Sequence, residues 1–149
     1  MKIFFLKKGK SHLGSNRIYI ENLSQYFSKL GLTVTVSDVI LPDFDCYILS
    51  KYSKLKDLNQ IRNINKNRKV ICGTIHPTDL NFNGIKMLKG SDFIIVGSIE
   101  ERDYYLKYNK NIFRFPQIEN IKINKKKHIK KNKIIISYHG NLEHLEEMS

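Results

Sequence analysis

The amino-acid sequence predicts an α/β fold, a doubly wound parallel sheet of about six strands with helices on both faces. Two observations predict it. Short apolar runs of strand length alternate along the chain with stretches whose apolar residues recur at helical spacing. The first run, Ile3-Phe4-Phe5-Leu6, is apolar throughout, which is typical of a central strand covered on both faces.

The predicted strands follow the apolar runs. They cover residues 3–6, 32–36, 46–49, 70–72, 93–96 and 112–115. The second of them alternates apolar and polar residues, which indicates a strand with one wetter face near the sheet edge. By analogy with doubly wound folds, we expect the strand order 3-2-1-4-5-6, with the first strand inside the sheet.

Two amphipathic helices are predicted from apolar residues at helical spacing. The first stops at Gly31 and carries Ile20, Leu23, Phe27 and Leu30. The second carries Leu55, Leu58, Ile61 and Ile64 on one side.

Two further helices are predicted later in the chain. A short helix follows residue 80, although Asn81, Asn83 and Gly84 weaken its helical pattern. Ser98 and Glu101 have the spacing of a capping box, which predicts the start of a helix that runs to about Tyr108.

The chain divides into three parts by composition. With 149 residues and 41% hydrophobic content, it can bury one good core, which we assign to a Rossmann-like domain over residues 1–117. Residues 118–132 are rich in lysine and asparagine and predict a basic linker. Residues 133–149 combine an apolar run, a glycine turn and the start of a helical pattern, so we expect them to begin a second α/β domain.

The formal net charge of +12 comes mostly from lysine rather than arginine. Readers of nucleic acids favour arginine for bidentate and stacking contacts, so no nucleic-acid partner is predicted, and attraction to an anionic membrane surface is favoured instead. Cys46 and Cys72 lie in predicted strands without CxxC spacing, which indicates buried thiols in a reducing compartment. No apolar run is long enough to span a bilayer. We therefore expect a cytoplasmic protein, peripheral at the inner face of the membrane.

The loops after strands one, four and five are expected to converge at one sheet edge, over residues 7–17, 74–79 and 97–101. In the first, Gly9 and Gly14 have the glycine spacing of a P-loop, but the lysine and hydroxyl that must follow are missing. What remains suits an anion or a polar sugar edge at a helix N-terminus, and the binding residues would be Ser11, His12, Ser15, Asn16 and Arg17. The alternative is a solvated loop in which Ser15 or Asn16 caps the helix.

His76 follows a central strand and precedes a proline that fixes the turn. A functional role and a structural hydrogen bond within its own loop both remain open. Asp79 can accept from an imidazole or cap the next helix. His139 and His144 lack the i, i+4 spacing of two ligands on one helix face, so no metal site is predicted.

Three segments resemble the GT-B glycosyltransferases. Residues 30–36, Leu-Gly-Leu-Thr-Val-Thr-Val, resemble the helix end and second strand of their N-terminal domain. Residues 97–103 are similar to a strand-to-helix step with a serine and acidic residues. Residues 136–141, Ile-Ser-Tyr-His-Gly-Asn, are similar to the first strand and glycine turn of their C-terminal domain.

The resemblance implies transfer of a sugar from a nucleotide-sugar donor to a saccharide or lipid-linked acceptor held by the N-terminal domain. His76 matches a histidine that contacts the reacting sugar, and Gly14 and Ser15 match the loop that approaches the reaction centre. Gly140 and Asn141 match the turn that approaches the donor phosphates. The resemblance implies no metal or other cofactor, and the 149-residue chain alone is expected to be inactive. The alternative is a non-catalytic Rossmann-like module that binds an anionic ligand or partner.

Overall fold

The protein forms a six-stranded parallel sheet. The structure, a computed structural model, describes residues 1–10, 14–64, 67, 69–73 and 80–115. The strands are β1 Lys2–Leu6, β2 Thr33–Ser37, β3 Cys46–Leu49, β4 Lys69–Cys72, β5 Phe93–Val96 and β6 Ile112–Arg114. All five pairings between them are parallel. The predicted α/β, Rossmann-like fold is confirmed, whereas the predicted linker and second domain lie outside the described residues.

The strand order is 2-1-3-4-5-6, so the expected order 3-2-1-4-5-6 is wrong. β3 pairs directly with β1, with Ile3 opposite Cys46. The connection from β2 crosses over β1 through residues 38–45, in which Ile40 is buried and the carbonyl of Leu41 accepts a hydrogen bond from the Tyr47 hydroxyl at 3.0 Å. This segment places β3 on the side of β1 that β2 does not occupy. The direction of strand addition therefore reverses between β1 and β3.

Different helices cover the two faces of the sheet. Because the direction of strand addition reverses between β1 and β3, right-handed crossovers before and after this point lie on opposite faces. One face holds a continuous helix built from α1 Gly14–Asn16, a π-helical segment Arg17–Asn22 and α2 Leu23–Lys29. The other holds α3 Leu55–Ile64, α4 Phe82–Gly90 and α5 Ile99–Tyr105. Helices therefore lie on both faces, as predicted. Among the described helices, none is long and apolar enough to cross a membrane.

The apolar residues of the strands form one core on each face. In β1, Ile3 and Phe5 pack beneath the continuous helix, while Phe4 and Leu6 face α3 and α4. All four are buried, which confirms the prediction of a central strand. By contrast, β2 is an edge strand without a buried residue, in agreement with its alternating pattern.

The helix boundaries agree with their capping chemistry. The Ser98 hydroxyl accepts from the backbone N–H of Glu101 at 3.1 Å, and the Glu101 carboxylate accepts from the backbone N–H of Ser98, so the predicted capping box is confirmed. Asn81, which weakened the α4 prediction, is the N-cap of that helix and accepts from Asn83 and Gly84. An asparagine that is unfavourable inside a helix therefore stabilises its start.

Candidate functional site at the sheet switch point

The loops after β1 and β3 meet at the carboxyl edge of the sheet, where the direction of strand addition reverses. The backbone N–H of Ser50 donates to the carbonyl of Leu6 at 3.1 Å, which extends the pairing of the two strands by one residue. The Ser50 hydroxyl then accepts from the backbone N–H of Lys8 at 3.0 Å. Ligands of open α/β sheets bind at such a switch point, so this is the first place to look for a site.

Tyr52 joins the two loops. Its ring lies against the backbone of Gly9, where an added Cβ would come within 2.9 Å of the ring carbon Cδ2. Gly9 also has a φ of +81°, a conformation that side chains rarely tolerate. The Ser15 hydroxyl donates to the Tyr52 hydroxyl at 3.3 Å. Glycine at position 9 is therefore required both by the backbone conformation and by the ring beside it.

A cavity of about 260 Å³ opens beside this contact, and we call it the switch-point crevice. It is lined by Lys8, Gly9, Tyr52, Lys54, Lys56 and Asp57. Its volume lies just below the usual range for small-molecule sites, so it can hold a small ligand or one part of a larger ligand.

A second cavity of about 380 Å³ opens at the same edge, between the loop after β3 and the start of α4. We call it the β3–α4 pocket. Lys51, Lys54, Leu55, Asn81, Asn83 and Met87 contribute to its lining. Lys54 lines both cavities, so the two sites share one wall.

The lysines of the two cavities are free of carboxylate partners among the residues that the structure describes. Lys51, Lys54 and Lys56 form no described ion pair, whereas Lys7, outside the cavities, pairs with Glu21 at 2.6 Å. Asp57 is buried and accepts from the backbone N–H of Lys54 at 2.7 Å, which caps the start of α3. The electrostatic character of this edge is therefore cationic, and it favours an anionic ligand.

Asn16, predicted to bind a ligand, is fully buried beneath the β1 loop. Its amide Nδ2 donates to the carbonyl oxygens of Lys8 at 2.8 Å and Lys10 at 3.1 Å. Its Oδ1 is buried without a hydrogen-bond partner. These contacts make Asn16 a positioning residue that holds the loop, and its direct contact with a ligand stays a prediction.

The other predicted site residues have different outcomes. Gly14 and Ser15 form the first turn of the continuous helix, next to the crevice through the Tyr52 contact, and Arg17 is exposed one residue after the buried Asn16. The remaining predicted residues lie outside the described parts of the chain, and their roles stay predictions: Ser11, His12, His76, Gly140 and Asn141.

The strand order changes which loops are neighbours at the carboxyl edge of the sheet. Because β3 separates β1 from β4, the loop after β3 is the neighbour of the β1 loop. At the end of β4, a Cβ on Gly73 would lie 2.4 Å from the Leu49 carbonyl oxygen, so glycine allows β4 to approach β3 closely. Residues 74–79 are outside the described chain.

The loop after β5 has a structural role in the described contacts. The Glu101 carboxylate accepts from the backbone N–H of Gly97 at 2.8 Å as well as completing the capping box. The pKa of Glu100 is lowered, first by a hydrogen bond from its own backbone N–H and then by one from Ser98. These carboxylates stabilise the start of α5 in the ionised form.

The two cysteines are buried, as predicted. Burial raises the pKa of Cys46 and of Cys72 to about 11, so both remain protonated thiols near neutral pH. Within the described ranges, no group of three or more histidine, cysteine, aspartate or glutamate side chains could hold a metal ion. The described chemistry at the edge is therefore that of lysine amines, hydroxyls and amides.

The loop after β3, which supplies Ser50, Tyr52 and Lys54 to the site, was not among the predicted site segments. The available signal was the polar segment Ser50-Lys51-Tyr52-Ser53-Lys54 directly after a buried strand. Its importance depends on β3 pairing with β1. No protein-family model, curated protein or solved structure matches the chain, so the function is inferred from these residues themselves.

Proposed function

We propose that the chain is the acceptor-side part of a glycosyltransferase and that the switch-point crevice receives a saccharide. The observation that carries this proposal is the crevice itself, which combines the Tyr52 ring with the amines of Lys8 and Lys54 at the switch point of the sheet. An aromatic ring offers a flat apolar surface to one face of a sugar. Amines and hydroxyls can hydrogen-bond to the sugar hydroxyls at its edge.

The position of Ser15 supports a saccharide at this place. Ser15 is one of the two residues that resemble the loop near the reaction centre of GT-B enzymes, and its hydroxyl contacts Tyr52 at the crevice. Asn16 holds the same loop from below through two hydrogen bonds. Because Tyr52 and Asn16 both contact this turn, the Ser15 hydroxyl can keep a fixed orientation. A fixed orientation favours selection among ligands.

In this proposal the donor is a nucleotide-sugar, and the acceptor is a saccharide or a lipid-linked saccharide. His76 would contact the reacting sugar, while Gly140 and Asn141 would lie near the donor phosphates. A lipid-linked acceptor would bring the protein to the cytoplasmic surface of a membrane, where its net charge of +12 would be attracted to anionic lipid.

The second candidate is a non-catalytic module that binds an anion at the same edge. The observation in its favour is the set of lysines without described carboxylate partners, Lys51, Lys54 and Lys56. The two candidates differ in selectivity. An acceptor site discriminates among saccharides, whereas an anion site accepts inorganic phosphate as readily as a sugar phosphate.

An NMR titration of the ¹⁵N-labelled chain tests the proposal. The ligands are a panel of neutral oligosaccharides, sugar 1-phosphates, nucleotide-sugars and inorganic phosphate. We expect selected saccharides to shift the amide resonances of Gly9, Ser15 and Tyr52, and Tyr52→Ala to abolish these shifts. Tyr26→Ala is the matched control, since Tyr26 is an exposed tyrosine on α2.

Two outcomes contradict the transferase proposal. If no saccharide shifts the resonances around the crevice, the crevice is not an acceptor site. If inorganic phosphate produces the same shifts as every phosphorylated sugar, with no effect of the sugar, the anion-binding module is the correct function.

A further inference from the structure

We propose that the β3–α4 pocket is a subsite that binds an anionic group, and that the saccharide bound in the switch-point crevice carries this group as a phosphate or a carboxylate. This inference rests on the proposed function and adds the class of its substrate. The two cavities open at one sheet edge and share Lys54, so one ligand can occupy both. The sugar ring would lie near Tyr52, and its acidic group would lie on the other side of Lys54.

The polar lining of the pocket consists mainly of hydrogen-bond donors. Lys51 and Lys54 supply ammonium groups that no described carboxylate neutralises. The oxygen of Asn81 is already used, since it accepts from the backbone N–H groups of Asn83 at 3.0 Å and Gly84 at 3.1 Å. Its amide NH₂ is left to donate. Ammonium and amide donors together match an oxyanion, which offers only acceptors.

The starts of the two helices beside the pocket are already capped. Asp57 accepts from the backbone N–H of Lys54 at the start of α3, and Asn81 caps α4. The polar side chains that line the pocket are therefore those of the lysines and asparagines, together with the Ser53 hydroxyl, which lies 3.3 Å from that of Ser50. Some basic side chains elsewhere in the described domain are paired with carboxylates, as in the Arg62–Asp92 pair at 2.9 Å. The lysine ammonium groups at this edge have no described carboxylate partner, which is consistent with a ligand that carries the negative charge.

The pocket also has an apolar part. Leu55 is half-buried and Met87 is almost fully buried, and both line the cavity. A bare inorganic ion would leave this surface wet, whereas a ligand with a carbon skeleton beside its acidic group would cover it. The volume of about 380 Å³ falls within the range of small-molecule sites. The pocket therefore fits an acidic or phosphorylated sugar better than it fits free phosphate.

Paired ligands test this inference by titration calorimetry. Each pair contains a neutral saccharide from the NMR panel and its phosphorylated or uronic-acid counterpart, and free phosphate is measured alone. We expect the anionic member to bind about tenfold more tightly, and Lys51→Gln to remove about that factor while leaving the neutral member unchanged. Lys69→Gln is the control, since it removes one charge at the opposite, amino edge of the sheet.

The phosphorylated and uronic-acid arms identify which acidic group is preferred, and a preference for either supports the subsite. Equal affinity of neutral and anionic members overturns the inference but leaves the acceptor proposal intact. Equal losses in Lys51→Gln and Lys69→Gln also overturn it, because attraction would then come from net charge alone. Absence of binding by both members of every pair refutes the proposed function itself.

Discussion

Replacement of Asn16 distinguishes two possible roles of its side chain, which are to hold the β1 loop in place and to contact the ligand directly. The side chain is fully buried, and its Nδ2 donates to the carbonyls of Lys8 and Lys10 at 2.8 and 3.1 Å. Asn16→Ala removes both hydrogen bonds and leaves the β1 loop without its internal support. The geometry therefore predicts a loss of stability together with a weaker site.

The expected loss is about 2 kcal/mol. The two hydrogen bonds contribute about 1 kcal/mol each, and the space left by the amide adds about another 1 kcal/mol. Against this, the substitution removes the buried Oδ1, which has no hydrogen-bond partner and itself costs about 1 kcal/mol. For a chain of this length, a loss of about 2 kcal/mol lowers the melting temperature by roughly 6 °C.

Thermal and urea denaturation measure the stability, and saccharide titration measures the site. Asn16→Asp is the isosteric comparison, because it keeps the size and shape of the side chain but replaces the donating NH₂ by an oxygen and buries a charge beside carbonyl oxygens. We expect it to be at least as destabilising as Asn16→Ala. We also expect both variants to weaken saccharide binding, since the loop carrying Lys8 and Gly9 is no longer held.

Two results would refute this reasoning. A melting temperature within about 1 °C of the wild type, together with lost binding, would mean that Asn16 contacts the ligand directly. Full stability and full affinity in Asn16→Asp would mean that the two hydrogen bonds do not form.

Three further predictions concern the close strand approach, the helix cap and the buried thiols. Gly73→Ala places a Cβ 2.4 Å from a backbone carbonyl oxygen at the end of β3, so we expect a loss of about 3 kcal/mol in urea denaturation. Gly14→Ala, whose Cβ meets no atom closer than 3.9 Å, is the control, and equal stability of the two variants would contradict the close approach. Ser98→Ala should lower the free energy of unfolding by about 1 kcal/mol, and Ser98→Thr should retain most of it; an unchanged urea midpoint in the alanine variant would show that the capping box contributes nothing. Because burial raises the pKa of Cys46 and Cys72 from 9.0 to about 11, the folded state holds protons that the unfolded chain releases. The contribution of the two thiols to the free energy of unfolding is complete below pH 9.0. It is lost as pH rises towards about 11, by about 1.4 kcal/mol per pH unit for each thiol. Urea denaturation across this range measures the loss, and a cysteine-to-alanine variant with the same alkaline slope would argue against it.

The sequence by itself determined the elements whose signals are local. The apolar run of β1, the alternation of β2 and the capping box of Ser98 and Glu101 each depend on residues close together in the chain. Local periodicity indicates whether a segment is buried on one face or two, so it predicted a central β1 and a β2 nearer the sheet edge. The buried cysteines followed from the same strand patterns.

Only the tertiary structure decided the strand order and, with it, the site. The choice between β3 and β4 as the partner of β1 depends on the path of the connection from β2 to β3, whose sequence has no periodic pattern. That choice brought Tyr52 against Gly9 and made Lys54 a wall of two cavities. Only the tertiary structure, too, places Asn16 in the interior, with its Nδ2 on the carbonyls of Lys8 and Lys10. A polar residue in a glycine-containing loop gives the same sequence pattern whether its side chain faces a ligand or donates to a backbone carbonyl. Only packing determines the side to which it points.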